Sequence, residues 1–178
     1  MNRVAAHNGR VAVIALDGTP EFVLDEQYES DTPNAVISAL HVGADSDGSN
    51  LAAGIKLATD YFRRHRSEMP RLVVMDSGLP DRGLIDLTRP GLFSGKINIK
   101  REVASILDGV TKEKPVIELV GFGNTSLPQK PLKNSQVNIL TNIWKEAFEA
   151  ADCRVIVHRV FDAAPGPNTK YRTRTVSV

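Results

Sequence analysis

The sequence predicts an α/β fold: a mainly parallel sheet in a three-layer arrangement, with helices on both faces and an antiparallel hairpin at one edge. Three observations predict it. Short apolar runs recur at Val11–Leu16, Arg71–Met75, Val116–Val120 and Arg154–Val160, the signature of strands covered on both faces. Stretches with apolar residues at helical spacing separate the later runs. Polar, turn-forming residues follow the first three runs, as expected where strands end at a common rim. Such alternation implies parallel strands joined by helical crossovers. The runs ending at Leu16, Met75 and Val120 are therefore expected side by side in one layer.

Each element has its own local reason. After Val11–Leu16, Asp17-Gly-Thr-Pro20 supplies a turn, and Glu21–Tyr28 is a second, more polar strand that pairs back as a hairpin. Asp31-Thr-Pro-Asn34 punctuates the chain, and Asn34–Leu40 reads as a short helix rather than a strand. A polar loop, Asp45–Asn50, leads into a helix from Asn50 to His65, with Ser49 or Asn50 as its N-cap. Leu51, Ile55, Ala58 and Phe62 form its buried stripe, widened by Leu57 and Tyr61. Arg63, Arg64, His65 and Arg66 complement the helix dipole at its far end.

Arg71–Met75 ends in Asp76-Ser-Gly-Leu-Pro-Asp-Arg-Gly83, and an irregular stretch occupies Leu84–Lys96. Asn98–Val110 is a second amphipathic helix, presenting Ile99, Val103, Ile106, Leu107 and Val110. Val116–Val120 ends in Gly121-Phe-Gly-Asn-Thr-Ser126. The last helix, Asn134–Ala151, buries Val137, Leu140, Ile143 or Trp144, Ala147 and Ala151. Residues 1–162 are expected to form one domain, and 163–178, with Ala-Pro-Gly-Pro, a tail or linker.

Composition narrows the function. A length of 178 residues suits one core of ordinary size. The net charge of +1 provides no overall attraction to nucleic acid or anionic membrane, so neither is expected as a partner. The basic run at residues 63–66 lacks interleaved aromatics for base stacking. Cys153 is the single cysteine; it adjoins an apolar run and reads as a small buried residue. No segment approaches membrane-spanning length, and the first residues are too polar for a signal peptide. The chain therefore reads as soluble, cytoplasmic by default or else one excised domain of an envelope-associated protein.

Three motifs, in order, carry a resemblance. Asp47-Gly-Ser-Asn-Leu-Ala-Ala-Gly-Ile-Lys-Leu-Ala58 resembles the turn that opens a helix in von Willebrand factor A domains. Arg71–Gly83 resembles the family's next strand and its Thr-Asp-Gly-like turn, and Val116–Gly123 the strand ending in Ile-Gly-X-Gly. The hairpin Val11–Tyr28 suits the family's antiparallel edge pair. The resemblance spans Val11–Val160 and implies a Rossmann-like sheet with a divalent-cation site, usually magnesium, at its carboxyl rim. It assigns Ser49 to the second-loop hydroxyl and Asp76 to the third-loop acid. Asp17, Thr19, Asp47, Ser77, Asn124 and Thr125 would line the rim. The first-loop Asp-X-Ser-X-Ser signature is absent and, if Val11–Leu16 is the hairpin strand, so is the family's central strand; the site is expected to be degenerate or absent, with no cofactor expected and magnesium left as the alternative. The chain also resembles uncharacterised bacterial domains that precede an OmpA-like, peptidoglycan-binding domain.

Catalytic patterns fit less well. Val73–Leu79 resembles the aspartate strand of subtilisin-like proteases, but His7, His41, His65 and His158 sit in no matching base motif. Asp76-Ser-Gly also resembles the catalytic turn of aspartic proteases, which requires a second such turn and an all-β fold. The glycines of Gly121-Phe-Gly form neither Gly-X-Gly-X-X-Gly nor a phosphate-binding Gly-Lys-Ser/Thr. The expected function is a non-enzymatic protein-interaction or scaffolding module. The alternative is a small hydrolase or nucleotide-handling enzyme on the same type of sheet.

Overall fold

The computed structural model describes residues 9–40, 48–65, 70–88, 90–94, 97–108, 115–125 and 130–158. The tail expected at 163–178, the predicted helix residue Val110 and the rim residue Asp47 lie outside them.

The first apolar run forms β1 (Arg10–Ala15), which pairs antiparallel with β2 (Glu21–Gln27). A bulge between Val13 and Ile14 shifts the register, so Val13 faces Leu24 but Ile14 faces Phe22. Helix α1 (Thr32–Leu40) packs on this hairpin. Its start is fixed by the Thr32 hydroxyl, which accepts the Glu29 N–H at 2.9 Å. Helix α2 (Leu51–His65) follows, and the expected N-cap is Asn50, whose Oδ1 accepts the Ala53 N–H at 3.2 Å.

Strands β3 (Arg71–Met75), β4 (Val116–Val120) and β5 (Arg154–His158) form a parallel sheet in the order β3-β4-β5. They stand in simple register, with Val73 opposite Glu118 and Glu118 opposite Ile156. Helix α3 (Lys100–Leu107) connects β3 to β4, and α4 (Asn134–Glu149) connects β4 to β5. The Gln136 side chain begins α4 by accepting the Lys133 N–H at 2.9 Å. A single 3-10 turn, Leu92–Ser94, interrupts the irregular stretch after β3.

Alternation along the strands decides where the core lies. Leu72 and Val74 of β3, Ile117 and Leu119 of β4, and Val155 and Val157 of β5 pack into one cluster with α2, α3 and α4. Leu51 and Ile55 come from α2, Val103 and Leu107 from α3, and Leu140, Trp144 and Phe148 from α4. Trp144 rather than Ile143 is the fully buried member of its pair, and Cys153 is buried as expected. The helices that cover this sheet thus lie on one of its faces. On the other face Val73 and Met75 remain 49% and 57% exposed.

Among the described residues the hairpin does not join the parallel strands: the two sheets share no ladder. The expected single layer therefore divides into a pair and a trio. Among the described residues, Leu16 is the hairpin side chain that packs against the buried cluster, while β1 itself is only half-buried after Arg10. No helix of the described residues is long and apolar enough to cross a membrane.

Trp144 locks the two strand-end turns of the trio. Its Nε1–H donates to the Gly78 carbonyl at 2.9 Å, and its ring meets Phe122 edge-on at 6.1 Å. Substituting Trp144→Phe should cost about 2–4 kcal/mol, because it leaves a cavity and a buried carbonyl without its donor. Urea unfolding followed by circular dichroism checks this; a loss under about 0.5 kcal/mol would remove the lock from the account.

Candidate functional site

The carboxyl ends of β1, β3 and β4 come together at the N-terminus of α2. After β3 the backbone turns sharply at Gly78, which has φ +76° and lies so close to Phe122 that a Cβ there would sit 2.5 Å from its ring. The Gly123 N–H donates to the Ser77 carbonyl at 2.8 Å, drawing the β4 turn onto the β3 turn. The Asn50 N–H donates to the Asp17 carbonyl at 3.3 Å, which brings in the end of β1.

Ser49 and Asp76 meet at the centre of this rim. The Ser49 hydroxyl donates to Asp76 Oδ2 at 3.1 Å, and the Gly78 N–H donates to Asp76 Oδ1 at 2.6 Å. Asp81, which local sequence patterns did not single out, completes the group. Its Oδ1 accepts the Ser49 N–H at 2.8 Å, and its own N–H returns to the Ser49 carbonyl at 3.2 Å. Its one sequence signal is an acid five residues beyond Asp76 on the same loop.

The other predicted rim residues are bound locally. Asp17 Oδ1 accepts the Thr19 N–H at 3.1 Å, closing the hairpin turn on itself. The Ser77 hydroxyl accepts the Leu79 N–H at 3.4 Å. Asn124 is exposed, and the Thr125 hydroxyl donates to the Lys130 carbonyl at 3.0 Å within its own loop. The structure therefore brings together Ser49 and Asp76, with Ser77 and Asp17 beside them, and turns Thr19 and Thr125 to local uses.

Burial pushes the Asp76 carboxyl above its usual range; the bonds from Gly78 and Ser49 pull the other way, and the Asp81 charge adds to the rise. A magnesium ion requires about six oxygens in an octahedron. Ser49 and Asp76 supply two protein oxygen ligands, and both Asp76 oxygens already accept hydrogen bonds. Among the described residues no three acidic, histidine or cysteine side chains converge as a metal cluster. Ser49 and Asp76 by themselves would leave most of an octahedral shell to water.

A second electrostatic group lies on the uncovered face of the trio. Glu118, in the central strand, is buried between Arg71 of β3 and His158 of β5. Arg71 Nε donates to Glu118 Oε1, while His158 Nε2 lies 2.6 Å from Oε2. Burial alone would raise the carboxyl, but the bonds to His158 and Arg71 outweigh it and hold Glu118 below its usual range.

No protein-family model matches the chain, and no curated protein and no solved structure matches it either.

The raised Asp76 titration has a definite sign. A carboxyl whose folded-state pKa exceeds its unfolded value of 3.8 stabilises most below that value, and the contribution disappears as pH rises through the folded pKa. Asp76→Asn removes this dependence, so its stability relative to the parent should improve as pH rises from about 4 through the folded-state pKa and then level off. Urea unfolding across that range measures the difference; a relative stability that falls with pH would reverse the assignment.

Proposed function

We propose that this chain is a non-enzymatic protein-interaction module of von Willebrand factor A type, with a degenerate cation site. The observation that carries the reading is the uncovered face of the parallel trio. Val73 and Met75 stand half-exposed there, beside a strand edge that pairs with no other strand among the described residues. Exposed apolar surface next to unpaired backbone marks a site of association. The polar groups of the same face are not idle charges, because Glu118 is held by Arg71 and His158. The face is thus apolar at its edge and electrostatically ordered at its centre, the composition that suits a protein surface.

The rim supports the degenerate-site part of the reading. Ser49 and Asp76 correspond to the hydroxyl and acid that the resemblance assigns, yet they bond to each other and to the local backbone. In this reading the hairpin and the trio are halves of one Rossmann-like sheet, and covering the open face would give it three layers. A single net positive charge gives nucleic acid no general attraction.

Two experiments test the reading. Calorimetric titration with magnesium and with manganese should yield no affinity tighter than about millimolar. A micromolar affinity that Asp76→Ala abolishes would overturn the degenerate site. Separately, a photo-cross-linker placed at Val73 should capture a polypeptide from extracts of the native host, whereas one at exposed Lys56 on α2 should not. Equal capture at the two positions would remove the open face from the interaction.

A further inference from the structure

We infer that the open face of the parallel trio takes helix α1 of a second copy of this chain, with the acidic N-terminal end of that helix over Arg71 and Arg154. The inference rests on the interaction reading above and names the partner that the face would take.

Exposed apolar surface concentrates at two places. Among the described residues five large apolar side chains are exposed: Ile37 and Leu40 on α1, Val73 and Met75 on the open face, and Leu84 in the loop after β3. Four of the five thus belong to one helix and one sheet face. In α1 the single buried residue is Thr32, although most of the helix is apolar. Ala35, Val36 and Ala39 are half-buried, and the helix contacts both strands of the hairpin. Ile37 and Leu40, 52% and 51% exposed, stand three residues apart on one side of the helix. Asn34 and Ser38, also exposed, flank Ile37 at helical spacing. Apolar side chains gain by leaving water, so each of these surfaces favours association.

Shape and charge set how the two surfaces meet. The strand register puts Arg71, Val116 and Arg154 in one row across the trio. On the same face, Val73, Glu118 and Ile156 form the next row, and Met75, Val120 and His158 the last. The outer strands are two spacings apart, about 9.6 Å, close to the roughly 10–12 Å width of one helix with its side chains. Arg71 and Arg154 are both exposed. Two arginines against the one carboxylate of Glu118 make that end of the face cationic. The start of α1 has the opposite sign. Glu29 and Asp31 are exposed just before it, and with Glu26 they border one small cleft. Their full charges outweigh the partial positive charge of the helix end. Lengths agree as well: Asp31 to Leu40 spans about 13.5 Å of helix, and Arg71 to Met75 about 13 Å of strand. With its acids over the arginines, the helix brings Leu40 to the Met75 row and Ile37 between that row and Val73. Asn34 falls near Glu118 and offers it an amide instead of hydrocarbon. Each copy carries both surfaces, so two copies can satisfy each other reciprocally or add further copies in series.

The test uses the intact purified chain. Its sedimenting mass should rise with concentration and reach at least that of two copies by about 1 mM. Arg154→Glu and Glu29→Arg each reverse an exposed charge, and each should weaken association about tenfold or more. Mixed in equal amounts, the two variants should associate again, because opposite charges then face each other across the contact. A folding defect in either variant could not produce that recovery. A photo-cross-linker at Val73, in an equal mixture of isotope-labelled and unlabelled chain, should join one copy to the segment 32–40 of the other. This second measurement keeps both charged ends native and decides the matter if a reversal unfolds the chain. The inference is overturned by a chain that remains single at millimolar concentration. It is equally overturned by association that the reversals leave unchanged or that mixing does not recover in folded variants, and by a Val73 cross-link that stays within one copy or reaches another segment. Selective capture of a different polypeptide from host extract would then keep the interaction reading while this inference fails.

Discussion

The attachment of the hairpin to the parallel trio depends on the two-sided packing of α2. One flank of the helix contributes Leu51, Ala52 and Ile55 to the main core. The other meets Leu16 at Gly54, and farther along Tyr61 engages Arg10, Asp25 and the Phe22 ring, 5.5 Å away. No strand ladder shares the load, since the hairpin and the trio are separate sheets. The attachment is therefore built from one close backbone approach and a cluster of side chains. Exposed ion pairs such as Arg10–Asp25 contribute little on their own. The apolar contact at Leu16 and the buried Tyr61 ring against half-buried Phe22 add apolar burial to that attachment.

The rim obeys a different constraint. Its turns are fixed from below by the core, through the Trp144 bond to Gly78 and the Phe122 ring lodged against that glycine. Ser49 and Asp76 consequently sit on a rigid base although they lie in loops. That rigidity is expended on mutual satisfaction: each oxygen of Asp76 already accepts a hydrogen bond. A carboxyl so placed supports the turn and holds α2 against β3.

Much of this fold was legible in the chain. The N-cap at Asn50, the stripe Leu51-Ile55-Ala58 and the apolar runs of β3 and β4 are local patterns, and each produced its element. Pairing Ser49 with Asp76 was legible only through the family resemblance, because 27 residues separate them. Asp81 and the Trp144–Gly78 bond were not legible. They join positions with no shared period, and nothing local distinguishes an aspartate that accepts a distant N–H from one facing water. The split between hairpin and trio was also hidden. A continuous apolar run reads as a strand covered on both faces, yet β1 and β3 keep such sequences while being covered on fewer sides. The apolar pattern records what a strand is suited to touch, and the described residues do not supply all of it.

Under the proposed interaction reading, the Glu118 cluster makes the open face selective. A carboxylate held by an arginine and a histidine in the middle of aliphatic neighbours is tolerated because its charge is matched while both partners reach solvent. A greasy surface that settles there indiscriminately strips away that water and returns nothing, at a cost of several kcal/mol for a buried ion. A surface that brings its own donor or acceptor to the cluster avoids the penalty. One acidic side chain thus acts as a gatekeeper, allowing the molecule to display aliphatic surface without adhering to every other such surface it meets.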